Sequence, residues 1–95
     1  MQRHVVKKAL GDWVTAANNT VYQAAIDGFV LAIGTPGAEA YAYGYTDAAN
    51  PPTTVRQQHW QDGAAPDRGS IMFPVKKGDY WKVTSASTVY WIPLQ

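Results

Sequence analysis

Turn-forming residues interrupt this chain about every 8–12 residues, and the stretches between them are too short and too rich in β-branched and aromatic residues for helices. The pattern predicts an all-β fold, a small antiparallel β-sandwich or jelly roll of about seven or eight short strands. The predicted strands are residues 13–15, 20–25, 29–33, 39–46, 53–60, 70–75, 80–84 and 89–94. A chain of 95 residues has room for one domain. We assign that domain to residues 11–95 and interpret residues 1–10 as an N-terminal lead or tether.

Residues 29–33 form a continuous apolar run between Gly28 and Gly34. A run without alternation is typical of a strand with both faces buried. A helix would need a longer segment, and glycines flank this one on both sides. The sequence therefore predicts a central strand that is covered on both faces.

The closing segment, residues 70–94, reads as three strands joined by two tight turns. Residues 76–79 predict a hairpin turn in which Gly78 supplies a positive φ. Trp81 and Trp91 would then lie on adjacent strands of a terminal hairpin, close enough to pair across it. Pro74 cannot donate a hydrogen bond to a neighbouring strand, which predicts an edge or bulged position for its strand.

Composition favours a domain whose surface is partly covered. Charged residues make up 16% of the chain and aromatic residues 13%, against about 25% charged residues in typical globular proteins. A small chain with few charges must leave some large aromatic side chains near its surface, where another subunit or a ligand can cover them. Trp13, Trp81 and Trp91 are the candidate anchors of the core or of an oligomer interface.

Charge and cysteine content narrow the range of partners. The net charge is +1 and the basic residues do not cluster, so no nucleic-acid partner is predicted. The absence of cysteine excludes disulfides and cysteine-ligated zinc. The basic N-terminus is not followed by an apolar segment, so neither a signal peptide nor membrane insertion is expected.

Catalytic residues are scarce. The chain has two histidines, His4 and His59, and no metalloprotease, P-loop, nucleophile-elbow or EF-hand motif. Ser70, His59 and Asp62 could form a nucleophile–base set, but nothing in their spacing requires it. Aspartates beside glycines in the loops are interpreted as turn-forming residues rather than calcium ligands. We therefore predict no enzymatic activity, no cofactor and no metal site.

Residues 39–46 alternate strictly between two kinds of side chain. Tyr41, Tyr43 and Tyr45 share one face of the predicted strand, while small residues on the other face let a second layer approach closely. The tyrosines could form a stacking platform for sugar rings, with Trp60 and Asp62 beside them. Alternatively, the tyrosine row is the buried face of a strand or part of a subunit interface.

Two phrases of the sequence resemble a known kind of module. Residues 27–32, DGFVLA, preceded by TVYQA at 20–24, resemble the opening of small modules in bacteriophage tail-fibre and other virion proteins. The phrases SI at 70–71, PVKKGDYWKV at 74–83 and YWIPL at 90–94 resemble the end of the same modules. Together they span roughly residues 13–94.

The resemblance implies a homotrimeric β-sandwich, loosely similar to the C1q and tumour-necrosis-factor folds. It also implies a non-enzymatic virion structural protein, made in the host cytoplasm and associated with a tail or fibre. Its partners would be copies of itself, other virion proteins and, in host attachment, a surface glycan. The alternatives are a carbohydrate-binding module for bacterial surface polysaccharide and a capsid decoration protein.

Overall fold

The fold is all-β, as predicted. A computed structural model describes residues 10–34, 40–61 and 69–95, with the backbone alone at 40, 41, 60 and 61. The described residues contain no helix and eight strands, each of which overlaps a predicted one. The strands are β1 (Val14–Ala16), β2 (Tyr22–Gln23), β3 (Gly28–Gly34), β4 (Ala40–Asp47), β5 (Val55–Gln61), β6 (Ser70–Val75), β7 (Tyr80–Thr84) and β8 (Ala86–Pro93).

The strand pairing defines a jelly roll. β1 pairs with β8, β2 with β7, β3 with β6 and β4 with β5, all antiparallel. These are the pairs that form when the chain folds back on itself at the loop between β4 and β5. Further pairs, β3 with β8 and β4 with β7, roll this ribbon into two sheets. The first sheet has the order β1-β8-β3-β6 and the second the order β2-β7-β4-β5.

The core lies between the sheets and is built mainly from small and β-branched residues around Phe73 and Trp81. Val30 and Phe73 of the first sheet and Val83 of the second are fully buried. Phe73 packs directly over Gly44 of β4. A Cβ at Gly44 would overlap Phe73 Cε1 and lie 2.7 Å from Cδ1 and 2.9 Å from Cζ. The prediction that the small face of this strand admits a close second layer is confirmed.

The predicted terminal hairpins are wrong. β6 belongs to the first sheet, β7 to the second and β8 to the first again, so both tight turns carry the chain across the sandwich. Gly78 does have the predicted positive φ, 88°. Ser85, between β7 and β8, also has a positive φ of 66°. A tight turn brings the next strand close, but here that strand pairs in the opposite sheet.

Trp81 and Trp91 therefore do not pair across a hairpin. They meet through the core instead, with ring centroids 5.7 Å apart and ring planes 15° apart. Tyr22 stacks on the other side of Trp81 at 4.7 Å. The three rings form a continuous stack between the sheets, at the end of the sandwich where β1 and β2 are the edge strands.

The central position of β3 is confirmed, because it lies between β8 and β6. The prediction that both of its faces are covered is wrong for the described chain. Val30 and Ala32 point into the core and are fully buried, whereas Phe29, Leu31 and Ile33 point outward and are half-buried. A two-layer sandwich covers one face of each sheet, so the outward half of this apolar run has no layer from the described chain above it.

Edge and terminal positions complete the fold. Pro74 lies on β6, an edge strand of the first sheet, as its missing N–H predicted. Leu10 forms an isolated bridge with Leu94. Residues 1–9 of the predicted lead or tether lie outside the described residues.

Candidate functional site

One candidate surface is the outer face of the second sheet. Tyr43 and Tyr45 are half-buried there, while Ala42 and Gly44 point inward and are buried. The interpretation of these two tyrosines as the buried face of a strand is therefore wrong. The backbone register puts Tyr41 directly opposite Trp60. The side chains of these two residues, and the whole of Asp62, lie outside the described part of the structure.

Polar groups flank the two described tyrosines. In the register, Tyr43 lies between Gln58 of β5 and Thr84 of β7, and Tyr45 lies opposite Lys82. The Lys82 ammonium lies 4.8 Å from the centroid of the Tyr45 ring, as a cation–π pair. We call these five residues the tyrosine face. Aromatic rings beside amide, hydroxyl and ammonium donors can stack on the C–H surface of a sugar and hydrogen-bond its hydroxyls.

The outer face of the first sheet has a different chemistry. Leu31, at its centre, lies opposite Met72 on one side and Tyr90 on the other. Met72 is 55% exposed, and Trp13, 61% exposed, meets Tyr90 edge-on at 5.4 Å. We call this surface the apolar face. Its members are Trp13, Phe29, Leu31, Ile33, Met72 and Tyr90.

The three candidate tryptophan anchors lie in different environments. Trp13 is on the apolar face and exposed. Trp81 is 2% exposed and belongs to the core of the single chain, so it offers almost no surface to a partner. Trp91 is half-buried, and its ring packs against the backbone of Gly28, where a Cβ would lie 2.5 Å from Cη2. Of the three, Trp13 has the surface that an interface requires.

The structure gives no support to a nucleophile–base pair of Ser70 and His59. The imidazole of His59 packs tightly against Gly69, leaving no room there for a Cβ. Its Nε2 is buried and has no hydrogen-bond partner in the described part of the chain, Ser70 included. Asp62, the third member, lies outside the described residues. The described residues contain no group of three or more His, Cys, Asp or Glu that could hold a metal ion.

Asp47 organises the loop between β4 and β5. Its Oδ2 accepts hydrogen bonds from the backbone amides of Thr53 at 3.0 Å and Thr54 at 2.9 Å, and its Oδ1 accepts one from Ala49 at 2.8 Å. These bonds, led by the one from Thr53, hold the pKa of the Asp47 carboxyl well below its ordinary value of 3.8. The carboxylate thus fixes the loop at which the ribbon of paired strands folds back on itself in the jelly roll.

This geometry predicts acid sensitivity. Because folding lowers the pKa of Asp47, its contribution to stability is complete above the unfolded-state pKa and is lost progressively as the pH falls below about 4. Asp47→Asn is expected to lower the unfolding midpoint at pH 7 and to flatten the loss of stability between pH 5 and about 2. Thermal melts across that range measure both effects. Asp12→Asn, at an exposed position, is the matched control. If the unfolding midpoints of the two variants depended equally on pH, Asp47 would not be the source of the acid sensitivity.

No protein-family model, no curated protein and no solved structure matches this chain. In the described residues, no helix is long and apolar enough to cross a membrane. The functional conclusions therefore depend on the chemistry of the two outer faces.

Proposed function

We propose that this protein is a non-enzymatic virion structural module that assembles as a homotrimer through its apolar face. The observation that supports the proposal best is β3, whose outward residues Phe29, Leu31 and Ile33 are as apolar as its inward ones. Residues that face water on an antiparallel sheet are normally polar. An apolar outer face beside the exposed Trp13 and Met72 is the composition of a surface that another chain covers.

The count of three and the virion setting come from the sequence resemblance to phage tail-fibre modules. Jelly rolls occur in viral capsid domains as well as in lectins and cupins, so the fold is compatible with a tail, fibre or capsid position but does not choose between them. Cryo-electron microscopy of the particle whose genome encodes the chain is the test of location. Absence of the chain from the purified particle would contradict a virion role.

The assembly is tested by sedimentation equilibrium at micromolar concentration. We expect the mass of three 10.4 kDa chains for the wild type. Leu31→Lys is expected to give a folded monomer, because it places a charge at the centre of the apolar face, where a partner would have to desolvate it.

Thr84→Lys adds the same charge to the outer face of the other sheet and is the matched control. It should sediment as the trimer, and circular dichroism should show that both variants are folded. A monomeric wild type, or a folded Leu31→Lys variant that remains trimeric, would rule out this face as the contact.

A second candidate function is carbohydrate binding, and the tyrosine face favours it. Its half-buried rings lie on the outer surface of the sheet beside Gln58, Lys82 and Thr84, all of which can hydrogen-bond sugar hydroxyls. This face lies on the opposite side of the sandwich from the apolar face. A trimer built through the apolar face would therefore leave it open for the surface polysaccharide of a host.

We expect Tyr43→Ala to weaken glycan binding about tenfold, because the loss of one stacking ring removes about 1–1.5 kcal/mol. Tyr43→Phe keeps the ring and should retain most of the affinity. A bacterial glycan array followed by calorimetry on the strongest ligand makes the measurement. Binding by a folded Tyr43→Ala variant at wild-type strength, or no binding by the wild type, would rule out the platform.

A further inference from the structure

A cleft opens between the two sheets, on the side of the sandwich opposite the stacked tryptophans. Its walls are the edge strands β5 and β6, and its volume is about 360 Å³. That volume is at the lower end of the range for small-molecule sites, about 300–1,000 Å³. The side chains that line its mouth are Arg56, Gln57, Met72, Pro74, Lys76 and Asp79. From the sequence, only Asp79 among them was considered as a ligand, for calcium, and it was interpreted as a turn-forming residue instead.

Arg56 is held in position at this cleft. The register between β4 and β5 shifts at Gly44/Tyr45, which leaves Arg56 without an opposing residue. Its Nε donates a hydrogen bond to the carbonyl oxygen of Thr46 at 3.0 Å. Thr46 is buried and is itself fixed, since its hydroxyl donates to Tyr80 O at 2.8 Å and its N–H donates to Thr54 O at 3.1 Å.

The anchored guanidinium keeps its two terminal amino groups for another acceptor. Within the described part of the chain, the bond to Thr46 is its one hydrogen bond, and it has no ion pair. Two parallel N–H groups in a rigid plane match the two oxygens of a carboxylate. Lys76 adds a second positive charge to the cleft, and Asp79 is the one acidic residue among the described residues that line it.

We propose that this cleft binds the carboxylate-bearing ring of an acidic saccharide. Arg56 and Lys76 would hold the carboxylate, while Gln57 and Asp79 can hydrogen-bond ring hydroxyls. Pro74 is exposed beside these charges and offers apolar surface to the C–H face of the ring. A small inorganic anion would leave that apolar surface unused, which is why a sugar acid fits the cleft better. The inference goes beyond the proposed function and does not depend on sugar binding by the tyrosine face.

The test is an NMR titration of the full ¹⁵N-labelled chain at constant ionic strength with D-galacturonate, D-galactose and inorganic phosphate. Galacturonate is expected to shift the amides of Thr46, Gln57 and Asp79 saturably. Galactose, which has a similar ring without the carboxylate, and phosphate, which has charge without a ring, should each bind at least about tenfold more weakly. Equal binding of phosphate, or no saturable shifts with galacturonate, would overturn the proposal.

The variants distinguish a specific binding site from nonspecific attraction between charges. Arg56→Gln is expected to weaken galacturonate binding about tenfold or more. Arg56→Lys should also weaken it, because an ammonium lacks the two parallel N–H groups of the guanidinium. Lys77→Gln removes the same charge next to Lys76 but outside the cleft and should bind as the wild type does. An equal loss in Arg56→Gln and Lys77→Gln would overturn the proposal.

Two further variants keep the result interpretable. If Arg56→Gln does not fold, Lys76→Gln takes its place, because the Lys76 side chain is exposed. If Lys76→Gln and a folded Arg56→Lys variant both bind galacturonate as tightly as the wild type does, the proposal is overturned. Tyr43→Ala should leave galacturonate binding in the cleft unchanged, so failure of the tyrosine face and failure of the cleft are distinguishable.

Discussion

Gly44→Ala is expected to destabilise the jelly roll by about 3 kcal/mol, the upper end of the usual cost of overpacking a core. The new Cβ would overlap the ring of Phe73, which is 1% exposed. A domain of this size starts from a stability near the low end of about 5–15 kcal/mol. The variant should therefore unfold well below the temperature of the wild type, as differential scanning calorimetry would show.

Two further variants identify crowding as the cause. Gly44→Ala combined with Phe73→Leu should recover part of the loss, because the smaller side chain makes room for the methyl group. Gly78→Ala tests the other cost of replacing a glycine. Its Cβ would meet nothing within 4 Å, so only its positive φ is penalised, by about 1–2 kcal/mol. If Gly44→Ala cost no more than Gly78→Ala, the close approach of Phe73 to Gly44 would be wrong.

Trp81→Ala is expected to cost about 4 kcal/mol, within the range for deleting a large buried aromatic side chain. Trp81 is the middle ring of the stack with Tyr22 and Trp91, so its removal leaves a cavity and takes a partner from both neighbours. Chemical denaturation at low protein concentration measures the change in the free energy of unfolding.

Trp13→Ala is the matched control for that measurement. Trp13 is mostly exposed and meets Tyr90 edge-on, so its loss should cost the isolated fold less than about 1 kcal/mol. It is instead expected to weaken self-association. Equal destabilisation of the isolated chain by the two variants would contradict the placement of Trp81 in the core.

The sequence predicted the strands well and their pairing poorly. Alternation along β4 correctly separated its tyrosines from its small residues, because burial on one face is recorded locally with a period of two. A tight turn such as the one at Gly78 shows that the chain reverses direction. It does not show whether the next strand joins the same sheet or the facing one. That choice depends on contacts between residues far apart in the chain, which is why both terminal hairpins were predicted wrongly.

The β3 run shows a related limit. Its lack of alternation correctly indicated a central strand, but the cover for its second face was assumed to come from the same chain. A single sequence records that a face is apolar without recording which molecule covers it. The wrong prediction about the outer face of β3 is informative, because the uncovered apolar residues there are the main support for the proposed assembly.

The candidate sites were predictable only in part. The tyrosines of β4 were found from their spacing, whereas Gln58 joined them only once the register was known. Arg56 was missed because its position depends on a register shift and on a hydrogen bond to Thr46, neither of which has a local sequence signature. Asp47 was missed because an aspartate before a loop is common, and three of its four donors come from Thr53 and Thr54, on the far side of that loop.

The nested pairing of the strands also has a consequence for biosynthesis. β8 lies between β1 and β3 in the first sheet, yet it leaves the ribosome after both of them and after the other described strands. Until it emerges, β1 has no partner and β3 has an open edge next to its apolar run. Pairing of this kind joins distant parts of the chain and makes folding slow. The nascent chain thus carries an aggregation-prone strand while residues 35–85 are synthesised, and the arrival of β8 both closes the sheet and completes the surface on which copies would meet.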